Sequence, residues 1–376
     1  MTNLSREKKG PKMTEPLKSP LHDRHLALGA KFSEFGGWLM PLQYSGVVAE
    51  HRAVRTAVGI FDVSHLGKLR VTGPGAADFV NRCLTNDLTR IVPGQAQYTL
   101  LCNAEGGVVD DMIAYLVSDE EVFLIPNAAN TTTVGALLAD AAPAGVEVAN
   151  EHTDHAVLAV QGTNSDETLA ALGLPLDQPY MGFARGSWGG KELIVCRTGY
   201  TGERGYELVV PAAAAASLWD AVVAAGAEYD LLPCGLGARD TLRTEMGYPL
   251  HGQDLSPRIS PVMAGLNWAV GWAKEDFWGA PALRSEREAK AGPLLRGLKA
   301  TGRGIPRPHM RVQADGVDVG EVTSGTFSPT LGTGIALALL DRSVTVGGSV
   351  DVVVRDRLER FDVVKPPFVE PGVREA

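Results

Sequence analysis

The sequence predicts an α+β protein that combines antiparallel sheets with a small β-barrel at its C-terminus. Residues 98–127 contain three apolar runs separated by turn-forming residues, a pattern typical of a three-stranded antiparallel meander. From Leu295 onward, short β-like runs alternate with glycine and proline, as in GEVTSGTFSP (320–329) and SVDVVVRD (349–356), which indicates a small all-β barrel. Helical spacing of apolar residues in several other segments supplies the α component.

Ahead of the meander, the pattern changes between helix and strand. Apolar residues recur at helical spacing over 22–32 and 47–57, and FGGWLMPLQY (35–44) between them is expected to be irregular because of its glycine pair. IFDVSHLGKLRV (60–71) then moves into strand character, and residues 76–84 are expected to form a short helix.

Downstream of the meander, helices and strands alternate again. Asn130 is expected to cap a helix. TGYTGERG (198–205) is a glycine-rich loop that is long for a plain hairpin, and Arg239 and Arg243, four residues apart, share one face of a later helix. Helices are expected at 131–141, 163–173, 211–226 and 234–247, and strands at 146–149, 156–160, 193–197 and 206–210.

Length and charge restrict the class of protein. A chain of 376 residues is long enough for two or three domains and a large core. Its formal net charge of −9 argues against a nucleic-acid backbone as the main partner, since such binders usually carry a basic patch. No run of about 18 apolar residues is present, so no membrane span is expected.

Cysteine usage predicts a reducing compartment, the cytoplasm. The four cysteines are widely spaced and form no CxxC pair, so neither a metal knuckle nor a dithiol redox motif is expected. Residues 1–16 are polar and charged and lack the apolar core of a secretory signal. They are expected to be disordered, with Met13 as an alternative start.

Two adjacent acids, Asp110 and Asp111, stand in the otherwise apolar middle run of the meander. Side chains alternate along a strand, so the two carboxylates are expected on opposite faces. A carboxylate embedded in this way is costly unless it is paired, hydrogen-bonded or facing a wet pocket. Each is therefore either a structural acid bonded to a neighbouring loop or a carboxylate held in a pocket for charge stabilisation or proton transfer.

Other motifs give weaker signals. GPGAADF (73–79) resembles the start of a dinucleotide loop but lacks the third glycine or alanine, and a lone GxG is weak evidence. His152 and His155 could ligate a metal, but no third ligand is identifiable and a solvated loop is favoured. His65 and His251 lie near glycines in turns and are expected to form structural hydrogen bonds rather than to act as catalysts.

Six segments between residues 35 and 329 stand in one order along the chain, and the resemblance that they carry covers nearly everything from about residue 17 to 370. They are FGGWLMPLQY (35–44), GIFDVSHLGK (59–68), NAEGGVVDDM (103–112), RTGYTGERGYEL (197–208), GLGARDTLRTEMGYPLHGQD (235–254) and GEVTSGTFSP (320–329). In this order they resemble the T-protein family of the glycine cleavage system, the tetrahydrofolate-dependent aminomethyltransferases.

The resemblance implies a three-domain, cloverleaf-like α+β protein in which folate passes through a central opening. The expected divisions are a disordered extension at 1–16, a first α+β domain at 17–60 plus 150–272, an inserted α+β domain with the meander at 61–149, a linking segment at 273–294 and a C-terminal β-barrel domain at 295–376.

The resemblance also implies the activity. A protein of this family accepts an aminomethyl group carried on the lipoyl arm of H protein, releases ammonia and forms 5,10-methylene-tetrahydrofolate. Tetrahydrofolate is then a co-substrate, and no metal or redox cofactor is expected. The P and L proteins of the system are expected as indirect partners, whereas nucleic acid and membrane are not.

By the same resemblance, the essential aspartate falls on Asp111, and the folate-binding acid and arginine fall on Glu207 and Arg239. One carboxylate can accept two N–H donors of a pterin edge, which suits Glu207, and a guanidinium suits the anionic benzoylglutamate tail, which suits Arg239. A fixed carboxylate at Asp111 would stabilise an iminium-like centre, by charge or as a base. The remaining expected folate contacts are Leu66, Tyr98, Asn127, Tyr180 and Tyr200, with Arg374 as a candidate near the C-terminus.

Two other classes of function remain as alternatives. One is a related folate enzyme on the same scaffold, such as a demethylase of a sulfonium compound or of a methylamine derivative, because one fold supports several chemistries. The other is a non-catalytic folate-binding regulator, which would be expected to lack the acid that this chain has at Asp111. Turnover with lipoyl H protein discriminates the transferase from both.

Overall fold

Residues 15–373 are the part of the chain that this computed structural model describes, so most of the expected extension at 1–16 and the candidate contact Arg374 lie outside it. The strands are β1 (Leu17–Lys18), β2 (Lys31–Phe35), β3 (Trp38–Gln43), β4 (Gly59–Asp62), β5 (Leu69–Thr72), β6 (Gln95–Cys102), β7 (Val108–Ser118), β8 (Glu121–Pro126), β9 (Glu147–Asn150), β10 (His155–Gln161), β11 (Phe183–Trp188), β12 (Lys191–Cys196), β13 (Gly205–Pro211), β14 (Leu232–Cys234), β15 (Leu294–Ala300), β16 (Arg311–Ala314), β17 (Val317–Ser328), β18 (Thr333–Leu340), β19 (Ser349–Val354) and β20 (Arg357–Val364). The helices are α1 (His22–Ala27), α2 (Val47–Thr56), α3 (Ala76–Cys83), α4 (Thr131–Ala141), α5 (Ser165–Ala170), α6 (Ala215–Ala225), α7 (Leu236–Met246) and α8 (Ala280–Ala289). Within the described range, none of these helices has the length and apolar character needed to cross a membrane.

Residues 15–373 form four sheets. β1, β3 and β2 form a small three-stranded sheet, and a six-stranded sheet has the order β11-β12-β13-β10-β4-β14. The meander extends into a five-stranded sheet, β6-β7-β8-β5-β9, and β15-β18-β17-β16-β19-β20 close a barrel. Most neighbouring strands are antiparallel, so the predicted α+β class and the C-terminal barrel are confirmed.

The predicted meander is confirmed as β6, β7 and β8. β7 pairs antiparallel with a neighbour on each side, so its acids stand in the interior of the sheet. From Val108 to Met112, burial alternates along β7. Asp110 therefore lies on the fully buried face, and Asp111 lies on the partly exposed one.

The N-terminal segment differs from the prediction. The spacing over 22–32 predicts one helix, but α1 ends after 6 residues and β2 follows it. The segment 35–44, expected to be irregular, contains β3, which pairs antiparallel with β2. Gly36 and Gly37 have φ of 56° and 82°, the left-handed conformations that a tight turn needs, so the glycine pair joins two strands.

The predicted linking segment at 273–294 is partly helical and packed. It contains α8, and Phe277, Ala280 and Leu283 are buried in one cluster with Val108 at the start of β7. The segment therefore supports the sheet that carries the acid pair. We retain the domain boundaries predicted above as a proposal.

A buried ionic network joins the barrel to α2 and α7. Glu245 on α7 accepts hydrogen bonds from Arg55 on α2 at 2.8 Å and from the hydroxyl of Thr330, between β17 and β18, at 2.9 Å. It also accepts one from Ser328, and His51 Nε2 lies 3.2 Å from its carboxylate. Burial would raise the pKa of Glu245, but these partners outweigh burial and lower the pKa to about 2.

Glu245→Gln is expected to lower the free energy of unfolding by about 3–5 kcal/mol, because it removes the buried charge that pairs with Arg55 and leaves an amide that cannot accept all of the surrounding hydrogen bonds. Since the pKa of Glu245 in the folded state lies below its ordinary value, its contribution is complete above about pH 4.5 and is lost as the pH falls toward 2. Denaturant unfolding at pH 7 and pH 3 measures both effects, with the exposed Glu228→Gln as the control. Equal unfolding free energies for wild type and Glu245→Gln at pH 7 would contradict this role.

Candidate functional site

The acid pair lies inside the five-stranded sheet. Asp110 is fully buried, and Asp111 is half-buried on the opposite face of β7. Burial, together with the charge of Asp111, raises the pKa of Asp110 to about 8. Burial also raises the pKa of Asp111, although the hydrogen bonds that its carboxylate accepts act to lower it. Removing the second proton from this pair is therefore costly.

One side-chain amide joins the two carboxylates. Nδ2 of Asn127 lies 2.9 Å from Asp110 Oδ1, 2.9 Å from Asp111 Oδ1 and 2.9 Å from the Asp111 carbonyl oxygen. The backbone N–H of Asn127 donates to Asp110 Oδ2 at 2.9 Å. Asn127 directly follows β8, so the pairing of β8 with β7 brings its amide to the acids. The carboxylates leave β7 on opposite faces, but they are not independent because they share this donor.

A further hydrogen bond reaches Asp110 from Asn130, just before α4, and His251, in the loop after α7, contacts Asn130. Asn130 Nδ2 donates to Asp110 Oδ1 at 2.7 Å and lies 3.0 Å from Nδ1 of His251. His251 Nε2 lies 3.1 Å from the carbonyl oxygen of Val108. Asn130 was predicted to cap α4. It occupies the N-cap position but makes no side-chain capping bond, because its amide points at Asp110 instead.

Asp111 receives another hydrogen bond from a tyrosine on β6. The hydroxyl of Tyr98 donates to Asp111 Oδ2 at 2.9 Å. Burial and the charge of Asp111 raise the pKa of Tyr98 well above its ordinary value, so the phenol keeps its proton and remains a donor. The ring of Trp268 stacks on Tyr98 with centroids 5.4 Å apart, while Trp268 itself is 62% exposed. Tyr98 thus connects Asp111 to an aromatic surface that is open to solvent.

Tyr200 and Arg239 form a second part of the site. The guanidinium carbon of Arg239 lies 4.6 Å from the centroid of the Tyr200 ring, and the Tyr200 hydroxyl donates to the Pro249 carbonyl. Nη1 of Arg239 is buried and has no hydrogen-bond partner among residues 15–373. Because an arginine keeps its charge, this guanidinium is a cation with a donor left for a ligand.

Glu207 is buried on β13, where its carboxylate accepts a hydrogen bond from the Thr198 hydroxyl at 2.6 Å. Burial lowers the pKa of Arg239, and the charge of Glu207 raises it. Burial raises the pKa of Tyr200, and the charges of Asp111 and Arg239 are among those that act on it as well. Asp111 and Arg239 therefore both act electrostatically on Tyr200.

The other predicted folate contacts lie at different positions. Leu66 is half-buried and packs against a core cluster that includes Phe61 and Phe123. Tyr180 is half-buried in the turn before β11. Arg374 lies beyond the described residues. Six of the predicted residues interact with one another through hydrogen bonds, ring contacts or electrostatic effects. They are Asp111, Tyr98, Asn127, Tyr200, Arg239 and Glu207.

The sequence analysis missed several residues of this site. Trp268 was not singled out, because no pattern shows that it meets Tyr98, which lies far from it in sequence. His65, expected to form structural hydrogen bonds, is buried with an unpartnered Nδ1 within the described chain. Burial, followed by the charge of Arg239, lowers the pKa of His65 to about 3, so it is a neutral group beside the site. The nearby Gly67 was a signal for an ordered turn and not for a ligand contact.

Two surface clefts lie away from this group. One, of about 590 Å³, lies beside Asp166 and Arg204, and the other, of about 510 Å³, lies between Glu105 and Glu286. Neither is lined by a predicted site residue. The chemistry of the acid pair therefore gives a better indication of the site than cleft size does.

Comparison with known proteins gives one consistent family. The GCVT N-terminal domain matches residues 21–274, and the glycine cleavage T-protein C-terminal barrel domain matches residues 294–370. The aminomethyltransferase of Frankia alni is 64% identical over 360 residues, which are 95% of this chain and 99% of that protein. The aminomethyltransferase of Mycobacterium avium is 59% identical over 360 residues, 95% of this chain and 98% of that protein.

The fold is also similar to a solved structure. The crystal structure of glycine cleavage system aminomethyltransferase T from Bartonella henselae superposes with a TM-score of 0.89 at 32% identity. The match covers 94% of this chain and 98% of that one.

Proposed function

The chain belongs to the glycine cleavage T-protein family and is an aminomethyltransferase, and we propose that it moves the aminomethyl carbon from the lipoyl arm of H protein to tetrahydrofolate. The carbon loses its bonds to sulfur and to the departing ammonia and gains bonds to two folate nitrogens, giving 5,10-methylene-tetrahydrofolate. One observation carries the proposal. The carboxylate of Asp111 is half-buried and fixed by both Tyr98 and Asn127, each at 2.9 Å.

We propose that Asp111 acts on the positive charge of the reacting carbon. When that carbon is held by nitrogen alone it is iminium-like, and a carboxylate fixed beforehand stabilises it without reorganising. Tyr98 and Asn127 leave the Asp111 carboxylate little freedom, since each binds a different oxygen. The same carboxylate can orient the attacking folate nitrogen by accepting its proton in a hydrogen bond.

Glu207 and Arg239 are proposed to bind the folate. Glu207 already accepts one hydrogen bond and can accept others from the N–H groups of a pterin edge. Nη1 of Arg239 is buried and has no hydrogen-bond partner in the described chain, so it has a donor available for a ligand. Its guanidinium is proposed to bind the anionic benzoylglutamate tail of the folate. The further folate contacts proposed are Leu66, Tyr98, Asn127, Tyr180, Tyr200 and Arg374.

The proposed setting is the glycine cleavage system in the cytoplasm. Lipoylated H protein is the direct partner, the P and L proteins are indirect ones, and tetrahydrofolate is the co-substrate. The four cysteines lie within the described residues, and all are free and buried, which is the state expected in a reducing compartment.

The direct test measures ammonia released from aminomethylated H protein by the purified chain, with and without tetrahydrofolate. The proposal predicts fast release and methylene-tetrahydrofolate formation only when folate is present. If the chain turns over a sulfonium compound or a methylamine derivative but does not turn over aminomethylated H protein, it is a related folate enzyme instead. Folate binding without turnover of any of them would support the regulator.

Asp111→Asn is expected to lower turnover by about a hundredfold or more while the fold survives, because the amide keeps the shape and loses the charge. Stopped-flow or steady-state ammonia release gives the rate, and thermal unfolding checks the fold. Asp119→Asn, an exposed acid in the turn after β7, is the matched control. Wild-type turnover by a folded Asp111→Asn would remove Asp111 from the chemistry.

Glu207→Gln is expected to weaken tetrahydrofolate binding more than it lowers the rate at saturation. The amide offers one acceptor and introduces donors, and losing a charge-assisted bond costs about 1.5–3 kcal/mol. Calorimetry measures the affinity, and Glu192→Gln, exposed on the neighbouring strand β12, should bind like the wild type. Unchanged affinity in Glu207→Gln would exclude Glu207 from the folate site.

A further inference from the structure

We propose that His251 and Asn130 are positioning residues for the reaction, a role that rests on the function proposed above. They hold Asp110, and through Asp110 and the shared amide of Asn127 they orient the carboxylate of Asp111. Neither residue was expected from the sequence to do more than cap a helix or stabilise a turn.

The hydrogen-bond partners assign one tautomer to His251. Its Nε2 faces the carbonyl oxygen of Val108, which can only accept, so Nε2 carries the proton. Its Nδ1 faces the amide nitrogen of Asn130, which can only donate, so Nδ1 carries the lone pair. An imidazole with a proton on Nδ1 would set two donors against each other and release Asn130.

Asn130 passes this constraint to Asp110. Its two amide hydrogens have two acceptors, Nδ1 of His251 at 3.0 Å and Oδ1 of Asp110 at 2.7 Å. Asp110 then accepts three N–H bonds in all, one from Asn130 and two from Asn127. Every donor that the structure gives to this buried carboxylate thus comes from these two asparagines.

Asn127 links the position of Asp110 to the orientation of the Asp111 carboxylate. Its amide has two hydrogens for three acceptors, one on Asp110 and two on Asp111. A shift of Asp110 therefore changes which acceptors Asn127 serves, and with them the orientation of Asp111. Misplacing a reacting group by a fraction of an ångström to 1 Å can cost up to about a hundredfold in rate.

The sequence breaks a local rule where this arrangement is built. Asn130 stands at the N-cap of α4, where its side chain would ordinarily bond the first turn of the helix. Its side chain makes no such bond, and its amide nitrogen instead contacts Asp110 and His251. Local preferences that are sacrificed in this way are expected where function requires another arrangement.

His251→Ala and His251→Gln provide the central comparison. Glutamine can repeat the pattern, because its oxygen can accept from Asn130 while its amide donates to the Val108 carbonyl. We expect His251→Ala to lower kcat by about tenfold or more with a smaller change in the KM for tetrahydrofolate, and His251→Gln to stay within about threefold of wild type. His155→Ala, a half-buried histidine on β10, should leave kcat unchanged.

A double-mutant cycle with Asp111→Asn separates positioning from general structural damage. If His251 acts through Asp111, adding His251→Ala to Asp111→Asn lowers kcat by no more than about twofold. The proposal would be overturned if the double variant's loss of kcat equalled the product of the two single-variant losses. It would also be overturned if His251→Ala and His251→Gln lost kcat equally with the fold intact. If His251→Ala does not fold, Asn130→Ala takes its place in the same cycle.

Histidine ¹⁵N NMR on the wild-type chain gives a readout without turnover. The proposal predicts that His251 carries its proton on Nε2 and that the ¹⁵N chemical shift of its Nδ1 changes in Asn130→Ala. A proton on Nδ1 would overturn it. A wild type that releases no ammonia would contradict the proposed function, whereas the tautomer still tests the hydrogen-bond chain, so the two failures are distinguishable.

Discussion

Burying two adjacent carboxylates in the middle of a sheet is the constraint on which the site depends. Burial raises the pKa of both Asp110 and Asp111, the charge of Asp111 adds to the rise at Asp110, and hydrogen-bond donors oppose it. The chain supplies those donors from three places: Tyr98 on β6, Asn127 after β8 and Asn130 before α4. An antiparallel meander is suited to this, since the strands on both sides of β7 reach the same point.

The rest of the structure brings a second set of charges to that point. Helix α7 carries Arg239 toward Tyr200, while Arg243, one turn later, bonds to Asp254 and to Ser324 of the barrel. Glu245, two residues after Arg243 on α7, forms the ionic network with Arg55 and the barrel. The barrel therefore fixes the helix, and the helix also carries the buried Nη1 of Arg239, which has no hydrogen-bond partner among residues 15–373. The proposed folate would supply complementary groups to this buried cation and to the buried acid pair.

The sequence predicted the parts of this arrangement that depend on local pattern. Apolar runs and turn residues identified the meander, and the glycine- and proline-punctuated runs identified the barrel, because strand alternation is visible in short segments. It did not predict that Asp110 and Asp111 share Asn127, since strand alternation describes faces and not the loops that fold over them. Asn130 shows the same limit: its position at a helix start is readable, but the competing acceptor twenty residues earlier is a tertiary contact. Trp268 on Tyr98 is likewise a contact between distant segments.

The most direct measurement of this account is the titration of the two carboxylates by ¹³C NMR, with signals assigned through their loss in Asp110→Asn and Asp111→Asn. Burial and mutual repulsion outweigh the donors and raise the pKa of Asp110 to about 8, so at least one carboxyl should titrate far above the ordinary aspartate range. Addition of tetrahydrofolate should shift that titration if it binds at Asp111 as proposed. Two independent midpoints near the ordinary aspartate value, unmoved by folate, would contradict the central claim that these acids form one buried, functional pair.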